Sequence, residues 1–149
     1  MPFQIEALAK LQFTPERTRD AISTIATKKP GFPCRVSLAD AEVGEEVLLL
    51  HYEHHSAASP FRSSHAIYIR PLVAEARLAP NAIPQMFLTR TLSLRAFDAN
   101  GMMLDADLVE GPFSATAIDR LFEDPSVSYI HIHFARPGCY AARAIRAVE

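Results

Sequence analysis

Apolar and polar positions along this chain fall mostly into short runs of period two, interrupted by a few stretches of helical spacing. The segment VLLLHYEH at 47–54 is apolar on both faces where it begins, the pattern of a strand passing through the middle of a sheet. HAIYIR at 65–70 predicts a second strand. Between them lies HSAASPFRSS at 55–64, a serine-rich loop longer than a tight turn and of a length that more often carries function. Further on, Asn100-Gly101 separates TRTLSLRAFDA from MMLDADLVEG, which predicts a two-residue type I′ hairpin. Pairing Ala99 with Met102 sets Leu94 opposite Asp107 and Ala96 opposite Asp105. One face is then mixed apolar and acidic, so either a bulge shifts the register or the aspartates face a wet or functional surface. VSYIHIHFA at 127–135 alternates cleanly, with Ile130, Ile132 and Phe134 on one face and Tyr129, His131 and His133 on the other.

Helical spacing starts at Thr14 as N-cap, with Pro15 in the first helical position and Glu16 in the first turn. Its stripe is Ala21, Ile22, Ile25 and Ala26, Lys28 and Lys29 suit the last turn, and Pro30-Gly31 stops it. A shorter helix is expected from about Ser114, striped by Ile118, Leu121 and Phe122 and closed by Asp124-Pro125. After the turn Arg136-Pro137-Gly138, the segment CYAARAIRAV favours helix by its Ala and Arg content, although its alternation also suits a strand. Hairpins outnumber βαβ units. The expected fold is therefore α+β, one domain over 1–149, with a mostly antiparallel twisted sheet of five or six strands and two or three helices.

Composition narrows the function classes. The chain has 149 residues, 49% hydrophobic and 21% charged, with 15 Lys+Arg against 17 Asp+Glu. A domain of this size builds a core without disulfide or metal staples. The near-even charge balance and 9% aromatic content set it apart from dedicated nucleic-acid binders. No apolar run reaches the roughly 18 residues that cross a bilayer, so no membrane partner is expected. MPFQIEALAK lacks an export pattern, so the expected compartment is the cytoplasm. Cys34 and Cys139 are then expected to be thiols. Glycines at 31, 44, 101, 111 and 138 are too dispersed for a dinucleotide or phosphate loop, so no nucleotide cofactor is expected.

Three clusters carry candidate chemistry. His131 and His133 project from one strand face close enough to share a metal, and Asp105 with Asp107 repeats that spacing with carboxylates, so a site of two histidines and a carboxylate is open beside a merely polar sheet face. His51, Glu53 and His55 share a face too, but three such positions span about 13 Å, too far for one ion. Cys139, placed at the start of the expected last helix between Arg136 and Arg143, has the surroundings of an activated thiolate nucleophile; a buried inert cysteine is the plainer reading. Arg136, Arg143 and Arg146, joined by Arg35 and Arg95, suit a carboxylate or phosphate ligand, or else pair within the protein.

PGFPCRVSLADAEVGEEVLLLHYEHH (30–55), SPFRSSHAIYIR (59–70), LSLRAFDANGMMLDADLVEG (92–111) and YIHIHFARPGCYAARAIRA (129–147) together resemble a family of small bacterial proteins, domain of unknown function 1203. Phe134 stands where the family is associated with a polar residue. The resemblance implies a single-domain bacterial protein and no particular activity. The leading functional expectation is a domain binding a small anionic ligand, with His131, His133, Arg136, Arg143 and Arg35 around it. The alternatives are an enzyme, using a Cys139 thiolate or a metal held by His131, His133 and Asp105 or Asp107, and a structural or partner-binding protein. The last class, with a homo-oligomer among its forms, calls for an exposed apolar patch, expected in RLAPNAIPQMF at 77–87.

Overall fold

The computed structural model describes residues 2–148. Its strands are β1 (Phe3–Glu6), β2 (Ile22–Ile25), β3 (Pro33–Cys34), β4 (Ala39–Asp40), β5 (Glu46–His55), β6 (Ser63–Ile69), β7 (Thr91–Phe97), β8 (Met103–Glu110), β9 (Tyr129–Phe134) and β10 (Tyr140–Arg146), with one α-helix, α1 (Ser114–Leu121), and short 3-10 turns. They form two five-stranded sheets in the orders β1-β10-β9-β7-β8 and β2-β5-β6-β3-β4. All named pairings are antiparallel except that of β3 with β6. The mostly antiparallel α+β expectation stands. The expected five or six strands are ten in two sheets, and the expected two or three helices are one.

Both extra helices became strands because a sheet edge outbid local spacing. At Thr14 a helical turn does begin, with the Thr18 amide donating to the Thr14 carbonyl at 3.0 Å and the Arg17 amide to the Thr14 hydroxyl at 3.3 Å. It goes no further. Ile22, Thr24 and Ile25 are β-branched, and the free edge of β5 offers them a ladder of backbone partners. The supposed apolar stripe buries little, with Ile22 64% and Ile25 51% exposed. The segment after Gly138 is likewise a strand, β10, flanked by β9 and β1, with Ala141, Ala142 and Ala144 buried. Pairing on both sides outweighs the helix preference of alanine.

The hairpin at 98–102 has a three-residue loop, not the expected two-residue one. The Asp98 amide donates to the Met102 carbonyl at 2.9 Å and the Gly101 amide to the Asp98 carbonyl at 3.1 Å, with Gly101 at φ 76°. A bulge between Ala96 and Phe97 then compensates, so Leu94 pairs Asp107 and Ala96 pairs Asp105 as expected. These aspartates sit on the edge strand beside α1, where Arg120 reaches Asp107 at 2.6 Å and Asp105 at 4.0 Å.

The main core lies on that same face of the first sheet. Leu92, Leu94, Ile130, Ile132 and Phe134 pack against Ala117, Ile118 and Leu121 of α1 and against Met86 and Phe87. The proline-rich segment at 77–87 thus buries its large apolar side chains, Met86 and Phe87, instead of exposing them. A second apolar cluster covers the Leu48, Leu50, Ile67 and Ile69 face of the other sheet with Leu8, Phe13 and Ala21. Two arginines clamp the sheets together. Arg90, just before β7, binds Asp40 of β4 through two bonds of 2.7 and 2.9 Å, and Arg35 after β3 donates to the Tyr140 carbonyl at 2.7 Å. Among the described residues no helix is long and apolar enough to cross a membrane.

Gly111 lies so close to the 85–88 turn that a Cβ would stand 1.6 Å from the Phe87 carbonyl oxygen. The obstacle is backbone, which cannot swing aside. Gly111→Ala is expected to lower stability by about 3 kcal/mol, read from urea unfolding curves; an unchanged midpoint would contradict this packing.

Candidate functional site

The face of the first sheet opposite the main core is polar. Alternation along β9 puts Tyr129, His131 and His133 there, and the neighbouring strands add Arg95 and Arg143 as the two cross-strand partners of His131. The second sheet answers with histidines of its own. In β5 the register with β6 shifts between Tyr52↔His65 and His55↔Ser63, so Glu53 and His54 oppose Ser64 alone. The extra residue turns His54 and His55 both inward. The expected His51, Glu53 and His55 row therefore does not exist: His51 is exposed, Glu53 meets Arg62 at 3.1 Å, and His55 is buried.

Five of the six histidines in the chain gather between the sheets. His54 is central: its ring stacks on His65 at 4.8 Å and on Tyr140 at 4.8 Å, meets His133 edge-on at 4.9 Å and lies 5.6 Å from His131. His55 is 5.0 Å from His131, and His65 is 5.2 Å from His133.

Hydrogen bonds set the tautomers, because a carbonyl only accepts. His133 Nδ1 lies 3.0 Å from the Gly138 carbonyl and so carries the proton, leaving Nε2 as a lone pair. His55 Nδ1 donates to the Phe61 carbonyl at 2.8 Å, and its Nε2 accepts from the Tyr129 hydroxyl at 2.6 Å. His54 Nε2 is 2.7 Å from His65 Nδ1 and 2.9 Å from the Ser63 hydroxyl. By contrast, Nδ1 of His54 and Nδ1 of His131 are buried with no hydrogen-bond partner.

Burial disfavours the imidazolium form throughout. It pulls His131 down to about 2 and His54 to about 3, with the surrounding imidazoles adding to the effect. His133 falls to about 4 through burial, partly offset by its bond to Gly138, and burial lowers His65 as well. At neutral pH these rings are uncharged, the form that ligates metals.

Donor atoms of His54, His131 and His133 all lie within 4.8 Å of one another. A tetrahedral ion with metal–nitrogen bonds of about 2.0–2.1 Å needs its donors roughly 3.3 Å apart, so the three rings would have to draw in to hold one. His54 and His131 also line a cavity of about 390 Å³ bounded by Glu6, Tyr52, Tyr140 and Arg143.

Of the residues expected to form the site, His131, His133, Arg143 and Arg95 share its polar face; the others do not. Asp105 and Asp107 follow Ile132 onto the core face, because Asp107 pairs Leu94 and Leu94 pairs Ile132. They cannot join the histidines. Arg35, 1% exposed, spends its donors on the carbonyls of Tyr140 and Pro33 and, at 2.9 Å, on the Cys139 sulfur. Cys139 precedes a strand, so no helix N-terminus acts on it. Among the described residues no hydrogen bond joins it to an imidazole. Cys34 is also a free thiol, and burial pushes it up to about 12. Arg136 is exposed beside a groove with Pro30, Pro33 and Thr91 that no histidine lines, and Arg146 donates to the carbonyls of Phe122, Asp124 and Val127. His54 and His65 went unsuspected. The signal for them was slight, a histidine doublet at 54–55 leading into the serine-rich loop and a single histidine after it.

Residues 31–146 match the family described as Protein of unknown function (DUF1203), and the chain belongs to that family. No curated protein and no solved structure matches it. All five clustered histidines lie within the matched span. Phe134 packs into the main core, so its departure from the expected polar residue leaves the histidine site untouched.

The buried rings make the chelator-treated protein acid-labile. An unfolded chain takes up protons near pH 6.5, whereas folded His133, His54 and His131 resist until about 4, 3 and 2. Their contribution to stability is thus present above about pH 6.5 and lost as pH falls. Urea midpoints measured from about pH 8 down to about pH 4 are expected to hold and then drop with a slope approaching three protons; a flat profile would contradict buried neutral rings.

Proposed function

We propose that this member of the family is a metal-binding domain in which His54, His131 and His133 hold one divalent transition-metal ion, with a remaining coordination position turned to the cavity. The observation that carries this reading is the pair of buried, unpartnered Nδ1 atoms on His54 and His131, beside the free Nε2 of His133. A buried lone pair without a partner costs stability, and a cation supplies what is missing. The surrounding bonds fit the same reading. His133 donates its other nitrogen to the Gly138 carbonyl, and His54 directs Nε2 at His65 and Ser63, the outer bonds that orient metal-ligating imidazoles.

Three neutral imidazoles suit zinc, copper, iron or nickel, and disfavour calcium and magnesium, which prefer oxygen donors. Three protein ligands with one open position is the arrangement of catalytic rather than structural zinc, where the ion polarises a small molecule or lowers the pKa of bound water. Compared with the expected two histidines and an aspartate, a third histidine takes the carboxylate's place. A Cys139 nucleophile has less support, since its thiol lacks a base.

Titration of chelator-stripped protein with Co²⁺ and Zn²⁺ tests the proposal. One ion per chain is expected, with the visible absorption of low-coordinate Co²⁺. His131→Ala or His133→Ala should abolish it in protein that remains folded by circular dichroism. His65→Ala, which removes an outer bond, should weaken affinity about 10–100-fold. Absence of stoichiometric binding, or equal binding by a double variant lacking His131 and His133, would overturn the reading.

A further inference from the structure

We infer that the open position takes a small organic anion, a carboxylate or phosphate, whose charged group is shared between the ion and Arg143; this rests on the metal reading above. Three neutral imidazoles leave the ion's charge uncancelled, and the strands on either side of His131 add to it. Arg143 is its cross-strand partner from β10 and Arg95 its partner from β7. Arg95 meets no carboxylate among the described residues; its Nε reaches only the Ser93 hydroxyl at 3.3 Å. Two acids line the cavity, Glu6 and Glu75. Arg143 is the guanidinium that lines it with them, and Arg95 stands behind the histidines as the other partner of His131, so acids and guanidinium groups balance and the charge of a divalent ion is left over. A concave site with low-dielectric walls and a net positive charge once the ion is bound concentrates anionic ligands.

Arg143 is placed to take such a ligand. It gives both Nε (3.0 Å) and Nη2 (2.8 Å) to a single oxygen of Glu6, and Nη1 has no partner among the described residues. The pair is well exposed, 47% for Arg143 and 35% for Glu6, so it holds weakly and exchanges readily for a better-matched fork. At about 390 Å³ the cavity falls in the range of small-molecule sites, and the rings of Tyr52 and Tyr140 give it walls for a carbon skeleton.

The Co²⁺-loaded full chain, in low-chloride buffer, is titrated with benzoate, phenyl phosphate and the neutral benzamide, and the visible Co²⁺ band is followed. Saturable shifts by benzoate or phenyl phosphate and none by benzamide are expected, and the tighter anion identifies the group the site prefers. Arg143→Ala should weaken that anion at least tenfold. Glu6→Gln, which releases the guanidinium, should tighten it several-fold. A Co²⁺ band indifferent to both anions, an equal response to benzamide, or anion affinities unmoved in both variants would overturn the inference while leaving the metal reading intact. Failure to develop the band at all would overturn the metal reading and this inference with it.

Discussion

The junction between the sheets is made of imidazole rings, and most of the molecule is arranged around that fact. Packed sheets usually meet through interdigitated apolar side chains. On the first sheet the aliphatic mass lies on the opposite face, under α1; on the second, the Leu48, Leu50, Ile67 and Ile69 cluster lies further along the same face as His54 and His65, under the 8–21 segment. The seam holds His54, His55, His65, His131 and His133 with Tyr129 and Tyr140. A buried ring is tolerable only where its nitrogens find partners, and carbonyls at Phe61 and Gly138 serve two of them. The first sheet thus builds its core on the outer face and leaves the inner one to the histidines, while the second divides its inner face between an apolar cluster and the histidines.

Buried arginines complement this division. Arg35 and Arg90 both stack on Phe134, at 5.2 and 5.0 Å, and each fixes backbone or carboxylate on the opposite sheet. They hold the two halves at a set distance without filling the space between them with side-chain carbon. The histidine layer therefore keeps a cavity at one end instead of collapsing.

Legibility in the sequence followed the range of the forces involved. The β9 alternation, the pairings Leu94↔Asp107 and Ala96↔Asp105, and the stripe of α1 rest on local period or on one turn, and all were readable. Pairing with strands outside the segment turns 14–29 away from helix and decides 139–148, whose alternation already suits a strand, against its helix-favouring composition. The site divided in the same way. His131 and His133 announced themselves by spacing, and Arg143 by its place near them. His54 shares the face of Leu50 and Tyr52 by plain alternation, but His55 joins it only through a single inserted residue in β5, which shifts the face of everything after it; no periodicity encodes that shift. Asp105 and Asp107 shared the spacing of the histidines but not their face, a distinction that needs the order of strands across the sheet.

The pairing of β1 with β10 joins Glu6 to Arg143 across 137 residues of chain. Phe3 and Ile5 find their apolar seat only once β10 is in place beside them. Until then one wall of the cavity is missing, and the core edge that β1 covers stands without a mate. Completion of the first sheet and of the cavity is therefore one long-range closure, of the kind that slows folding.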